Sequence, residues 1–152
     1  MSDPVTFPSE TRNFSLPLLF PGQAQKEFFL NQAASIIDAA LASVVEASLN
    51  DPPTSPAEAA SYLVLAPATG VWEGQEDKIA MFVGESWHFI TPVEGISVFD
   101  RAASQVLRYL SGWQNATEPS PLQGGAVIDV EARQMLSDIV EALRKVGVFG
   151  QS

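Results

Sequence analysis

The spacing of apolar and polar residues changes along the chain, and each change predicts a different kind of structure. Residues 1–23 contain four prolines and show no helical period, so we expect an extended N-terminal arm. From Asn31, a favourable N-cap residue, apolar side chains recur at helical spacing, which predicts a helix from about 32 to 42. The EFFL run before it is expected to be extended. The SVVEASL run after it is compatible with a continued helix or with a short strand that ends at the proline cluster NDPPTSP.

The middle of the chain contains five short runs rich in β-branched and aromatic residues: SYLVLA, KIAMFV, SWHFIT, ISVFD and QVLRYLS. Such runs are typical of strands. The segments VGES and DRAAS each join two of them at hairpin length, and the runs recur about every ten residues. The pattern therefore predicts an antiparallel meander, which with the preceding helix forms a domain over residues 24–115.

The C-terminal part is predicted to be a linker followed by one amphipathic helix. Residues 116–128 are polar and rich in proline, glycine and serine, which is typical of a linker. Within residues 129–149, Asp129 is placed to cap a helix and Gly147 to end it. The sequence as a whole predicts an α+β fold: an extended N-terminal arm and helix, a small antiparallel β meander, a linker and a C-terminal amphipathic helix.

The C-terminal helix carries an apolar seam, with residues spaced alternately by three and four. The seam consists of Leu136, Ile139, Leu143 and Val146. Burying each side chain is worth roughly 1.5–3 kcal/mol, and a lone helix of this length is marginal in water, so the seam needs a cover. The cover is either the chain's own domain or another subunit, as a homo-oligomer or a docked protein. The linker before the helix favours another subunit.

Composition narrows the classes of partner. The 152 residues carry a net charge of −10 with only 8 Lys and Arg, which argues against nucleic acid and against anionic membranes. The chain has no cysteine, so it offers neither a disulfide framework nor a thiolate metal site. Its apolar runs are far shorter than the ~20 residues that span a bilayer, so no membrane insertion is expected. The polar N-terminus is unlike a signal peptide, and we expect synthesis in the cytoplasm.

The aromatic residues offer the best candidate binding chemistry. Trp72, Trp87 and Trp113 are candidates for a glycan-stacking face, because an indole packs well on the C–H surface of a sugar ring. The alternative is that each of them belongs to the hydrophobic core. Trp87 and Trp113 follow predicted turns, which favours at least one exposed edge.

The candidate catalytic residues are few. His88 is the sole histidine and lies between two aromatic residues in a predicted strand, which favours a structural role. Glu73, Glu76 and Asp77 cluster in one predicted turn. Paired carboxylates serve glycoside hydrolysis or calcium binding, but a solvated acidic loop is the favoured interpretation. We expect no catalytic residue, no cofactor and no metal, and hence a protein that is not an enzyme.

The opening block LPLLFPGQAQKEFFLNQAASIID resembles the start of a family of uncharacterised domains encoded by prophages and gene transfer agents. The matching positions are Leu16, Pro17, Leu18, Pro21 to Lys26, Asn31 and Asp38. The resemblance covers most of residues 16–113, although Gln32 stands where the family has an acidic residue. The final helix separately resembles the closing helix of phage head-fibre proteins.

The resemblance implies a structural component of a phage-like particle, such as a head spike or fibre protein that helps attachment to the host. Its partners would be other particle proteins, further copies of itself and host polysaccharide. The resemblance implies no catalytic residues. The resemblance makes the opening block an assembly motif, in which an extended entry lies against a neighbouring subunit. That motif comprises Pro21, Gly22, Gln23, Gln25 and Lys26.

Overall fold

The computed structural model describes residues 10–19, 22, 26–120, 124 and 129–150, and the chain forms two compact units, Met1–Pro92 and Val93–Ser152. Two helices and two small, mostly antiparallel sheets confirm the α+β class. The first unit contains α1 (Lys26–Ala42), β1 (Val44–Val45), β2 (Ser48–Leu49), β3 (Ser61–Val64), a 3-10 turn (Gly70–Trp72), β4 (Ile79–Val83) and β5 (Ser86–Ile90). The second contains β6 (Ser97–Asp100), β7 (Gln105–Tyr109), β8 (Trp113–Asn115) and α2 (Val130–Lys145).

All five predicted runs form strands, whereas the first helix differs from its prediction. Helix α1 begins at Lys26, so the EFFL run is helical rather than extended. Phe and Leu are acceptable helix formers, and Glu27 in the first turn complements the positive end of the helix dipole. The SVVEASL run, which was compatible with helix or strand, forms the short strands β1 and β2.

The sheet of the first unit has the order β2-β3-β4-β5, with β2 parallel to β3 and the other pairs antiparallel. The predicted hairpin joins β4 and β5 through Gly84 and Glu85, whose φ angles are 57° and 61°. Two consecutive positive φ angles are the requirement of the tight type I′ turn. The turn fixes the register in which Val83 faces Ser86.

Strand β4 lies at the centre of the first unit because both of its faces are covered. On one face, Met81 and Val83 pack with Ala39 of α1. On the other face, Ala80 packs in a cluster with Trp72. Helix α1 is thereby fixed on one side of the sheet, which determines which of its faces points inward.

The second unit contains the antiparallel strands β6, β7 and β8 and the helix α2. The predicted DRAAS connection joins β6 to β7, with Asp100 paired to Gln105. Strand β8 was not predicted, since its three residues are too few to show alternation. The strands of the predicted meander are therefore distributed over two sheets.

Candidate functional site

Residues 11–19, which we call the opening segment, precede helix α1, and one buried carboxylate holds their first part to it. Asp38 is completely buried and accepts four hydrogen bonds from the segment before the helix. Thr11 Oγ1 donates to it at 2.7 Å, and the backbone N–H groups of Asn13 and Phe14 donate at 2.8 Å. Asn13 Nδ2 supplies the fourth bond, also at 2.8 Å. Both carboxylate oxygens are therefore satisfied without water.

The hydrogen bonds also determine the ionisation of Asp38. Burial by itself would raise the pKa of this carboxyl, because a low-dielectric surrounding disfavours its charged form. The bonds donated by Thr11, Asn13 and Phe14 outweigh burial and hold the pKa of Asp38 below its ordinary value. The anion is the form that fixes the opening segment.

A second side chain of α1, that of Asn31, holds the opening segment near its other end. Asn31 Oδ1 accepts from the backbone N–H of Leu19 at 2.8 Å, and its Nδ2 donates to the Leu19 carbonyl at 3.0 Å. The Gly22 N–H donates to Glu27 Oε1 at 3.1 Å. Asn31 and Asp38 therefore tie the opening segment to the helix within one unit.

The predicted assembly motif is only partly described. Pro21, Gln23 and Gln25 lie outside the described residues. Gly22 has a φ of 105°, a backbone conformation that favours glycine. Lys26 is exposed and begins α1.

The outward face of α1 is apolar, which sequence reasoning missed. We call it the outer α1 stripe, and it consists of the exposed residues Phe29, Leu30, Ala33, Ile37, Ala40 and Leu41. The four large side chains are exposed by 53–71%. The signal was present as a three-four-three spacing of apolar residues, but the helical spacing was used only to predict a helix and not to assign its exposed face.

The structure removes Trp72 from the predicted glycan-stacking face. Its side chain is fully buried, and its ring centroid lies 5.0 Å from that of Trp87 and 6.1 Å from that of Tyr62. A ring without exposed surface cannot stack on a sugar. Trp72 instead fills the centre of the core cluster, where its Nε1 is buried with no acceptor among the described residues.

The other two tryptophans are half-buried and lie in different units. Trp87 is in β5 of the first unit and packs against the aromatic cluster around Trp72. Trp113 begins β8 of the second unit and meets Tyr109 edge-on, with ring centroids 5.4 Å apart. Each retains part of its surface in solvent, so each stays a candidate for stacking.

Two of the candidate catalytic side chains, those of His88 and Glu76, form local contacts. His88 lines a cleft of about 470 Å³ between α1 and the β4–β5 hairpin, where Gln32 Nε2 lies 3.1 Å from one ring nitrogen and 3.2 Å from the other. In the acidic turn, Glu76 accepts from the Ala68 N–H at 3.2 Å, whereas Glu73 and Asp77 are exposed. Backbone hydrogen bonding, including that from Ala68, lowers the pKa of Glu76. In the described part of the chain, no group of three or more acidic, histidine or cysteine residues is placed to hold a metal ion.

Helix α2 exposes the predicted seam. Asp129 caps the helix as predicted, accepting from the Ala132 N–H at 2.8 Å. Leu136 and Ile139 are 49% and 48% exposed, and none of the helix residues is buried in the described structure. Val146, at the C-cap, is 69% exposed. Leu143 is half-buried.

The end of α2 is nevertheless anchored to the second unit. Gly147, with a φ of 74°, ends the helix as predicted, and its carbonyl accepts from the Val106 N–H at 2.7 Å. The buried Gln105 donates to the Val148 carbonyl at 2.9 Å, and Phe149 is buried. The anchor holds the C-terminal end of the helix in place and leaves the seam uncovered.

The part of the chain that the structure describes contains no helix with the length and apolar character needed to cross a membrane. Among curated proteins, no match to the chain was found. A family model described as a protein of unknown function, DUF2793, matches residues 30–114, which is more than half of the chain, and the protein belongs to that family.

Proposed function

We propose that this protein is a non-enzymatic structural component of a phage-like particle, a head spike or fibre protein that assembles through its C-terminal helix and aids attachment to the host surface. The observation that carries the proposal is the exposed seam on a helix that is capped at one end and anchored at the other. The resemblance of the opening block and of the final helix to particle proteins supports the same assignment.

The chemistry of the seam favours a bundle of more than two helices. In heptad terms, Leu136 and Leu143 occupy a positions, and Ile139 and Val146 occupy d positions. Leucine at a with a β-branched residue at d favours three or four strands over two. Val140 at e adds apolar width to the seam, as a larger bundle requires.

The test is to place two charges on the seam. The double variant Leu136→Asp with Ile139→Asp is expected to lose self-association and particle attachment while both sheets stay folded, because neither residue is buried in the chain. A matched control, Gln134→Asp with Ser137→Asp, adds the same charge to the polar face of α2 and is expected to assemble normally.

Molar mass by light scattering and circular dichroism of each variant report association and folding separately. Particles purified from a producing strain are then analysed by mass spectrometry. Absence of this chain from the particles would exclude the particle role. Unfolding of the second unit in the double variant would instead assign the seam to the core.

A second candidate function is recognition of cell-surface polysaccharide by the second unit. It is favoured by the half-exposed Trp113, which Tyr109 supports edge-on at the end of the β7–β8 pair. A ring held by a neighbouring aromatic residue presents a pre-organised platform to a sugar. Quenching of tryptophan fluorescence by host polysaccharide, lost in Trp113→Ala, would support this function; unchanged quenching in that variant would exclude this platform.

A further inference from the structure

Helix α1 has an inverted distribution of polarity. Its buried side carries the ionised Asp38, whereas its exposed side is the outer α1 stripe. The stripe extends over residues 29–41, about 18 Å of helix, and contains no charged residue. A contiguous apolar surface of this kind on a soluble helix indicates an interaction site.

The contacts on the inner side of α1 fix the rotation of the helix, and with it the exposed position of the outer α1 stripe. Ala39 packs with Met81 and Val83 of β4, and Asp38 and Asn31 bind the opening segment. Rotating the helix to bury the stripe would break all of these contacts. The contacts within the first unit therefore leave the stripe uncovered.

We propose that the outer α1 stripe pairs with the same stripe of a second copy, as an antiparallel, two-fold symmetric helix pair centred near residue 35. In this register Ile37 of one copy lies over Ala33 of the other, and Leu30 lies over Ala40. Leu30 and Ile37 of each copy thus meet a small side chain, and Phe29 lies over Leu41 at both ends of the pair. The same patch serves both copies, as a two-fold interface requires. A parallel pair would instead place Ile37 on Ile37 and leave a gap between the two copies of Ala33.

Charge favours the same orientation. In the antiparallel pair, Lys26 lies beside the C-terminal end of the other helix, opposite position 44. That end has the negative pole of the helix dipole and no basic residue in its last turn. A parallel pair would bring the two Lys26 ammonium groups together. Because each copy carries a net charge of −10, association is expected to strengthen as salt screens the repulsion.

The absence of cysteine from the chain allows a direct test of this register by cross-linking. Full-length chains carrying Leu30→Cys are mixed with chains carrying Ala40→Cys and oxidised mildly. The experiment is done in the Leu136→Asp, Ile139→Asp background, so that it does not depend on association through α2. The mixture is expected to form a covalent dimer at several times the yield of either variant alone, because positions 30 and 40 face each other.

Phe28→Cys mixed with Ala40→Cys is the matched control. Phe28 is 68% exposed but projects away from the stripe, so this mixture measures cross-linking by random collision. Efficient cross-linking of Leu30→Cys with itself would overturn the antiparallel pair. If the Leu30→Cys and Ala40→Cys mixture cross-links no better than the Phe28 control, pairing through the stripe is overturned. Binding of the same protein to lipid vesicles would then identify a membrane surface as the occupant of the stripe.

A second variant tests the size complementarity. Ala33→Trp is expected to abolish the dimer, because the indole occupies the space that Ile37 of the second copy needs. The monomer should keep its melting temperature, since Ala33 is exposed. Retention of the dimer in this variant would contradict the proposed register.

Discussion

Replacing Asp38 by asparagine tests how strongly the opening segment is held to α1. The two side chains have nearly the same shape, so the change alters hydrogen bonding and charge with little change in packing. Asp38 Oδ1 accepts from Thr11 and Phe14, and Oδ2 accepts from the backbone and side chain of Asn13. An asparagine oxygen can serve one of these pairs, while its amide group faces the donors of the other pair.

The expected loss of stability follows from the number of hydrogen bonds that asparagine cannot accept. Hydrogen bonds to a charged group contribute roughly 1.5–3 kcal/mol each, and a buried donor left without an acceptor adds its desolvation cost. The Thr11 hydroxyl can rotate, but its oxygen already accepts the Leu16 N–H at 2.9 Å. Detachment of the segment limits the total, so we expect Asp38→Asn to lower the free energy of unfolding by about 3 kcal/mol. For a unit of this size that lowers the melting temperature by about 10 °C or more.

The pH dependence identifies the carboxylate as the cause. The folded-state pKa of Asp38 lies below its unfolded value of about 4. Its contribution is therefore fully present above the unfolded pKa and disappears as pH falls through the folded pKa. Urea unfolding followed by tryptophan fluorescence should show wild type and Asp38→Asn far apart at neutral pH and converging below about pH 4.

The matched control is Asp51→Asn, which removes the same charge from an exposed carboxylate of the first unit. Asparagine can still accept the Thr69 hydroxyl there, so the stability should change by no more than about 0.5 kcal/mol. Trypsin cleavage after Arg12 gives an independent readout, since it should accelerate only in Asp38→Asn. A variant as stable as wild type, or a stability difference that persists unchanged in acid, would refute the assignment.

Two further pairs of substitutions test the end of helix α2 and the tryptophans. Gly147→Ala should lower the free energy of unfolding by roughly 1–2 kcal/mol more than Gly74→Ala does, as measured by thermal unfolding. Both glycines have a φ of 74°, but only at Gly147 would a Cβ lie 3.0 Å from Phe99. Equal losses would show that Phe99 moves aside. Trp72→Ala should lower the free energy of unfolding by roughly 3–5 kcal/mol, because this side chain is fully buried. Trp113→Ala should lower it by only about 1 kcal/mol, because Trp113 is half-buried. The Trp113 variant should therefore keep a melting temperature near wild type and report on glycan binding alone. A large drop for Trp113→Ala would make it a core residue.

The features that sequence predicted are those fixed by neighbouring residues. The β4–β5 hairpin follows from the Gly84 turn, and the limits of α2 follow from the Asp129 cap and from Gly147. Each of these signals acts over a few residues, so no knowledge of the tertiary structure is needed to read it. The α+β class follows from the same local signals.

The features that sequence did not predict depend on contacts between distant segments. Asp38 is 27 residues from Thr11, so the pattern alone gives no reason to bury a carboxylate in α1. Trp72 was a candidate for a binding face because an indole packs well on a sugar ring, yet the fold places this indole in the core. The orientation of α1 follows from these long-range contacts, and with it the position of the apolar stripe.

The two assembly proposals rest on the exposed stripe of α1 and on the exposed seam of α2. A carboxylate can be buried at little cost when donors saturate it, as the opening segment does for Asp38. Large apolar side chains left outside gain roughly 1.5–3 kcal/mol each when another surface covers them. Under the two proposals, one surface pairs about a two-fold axis and the other bundles about a higher axis, so association would continue beyond a dimer. The proposed spike or fibre role requires such a larger assembly.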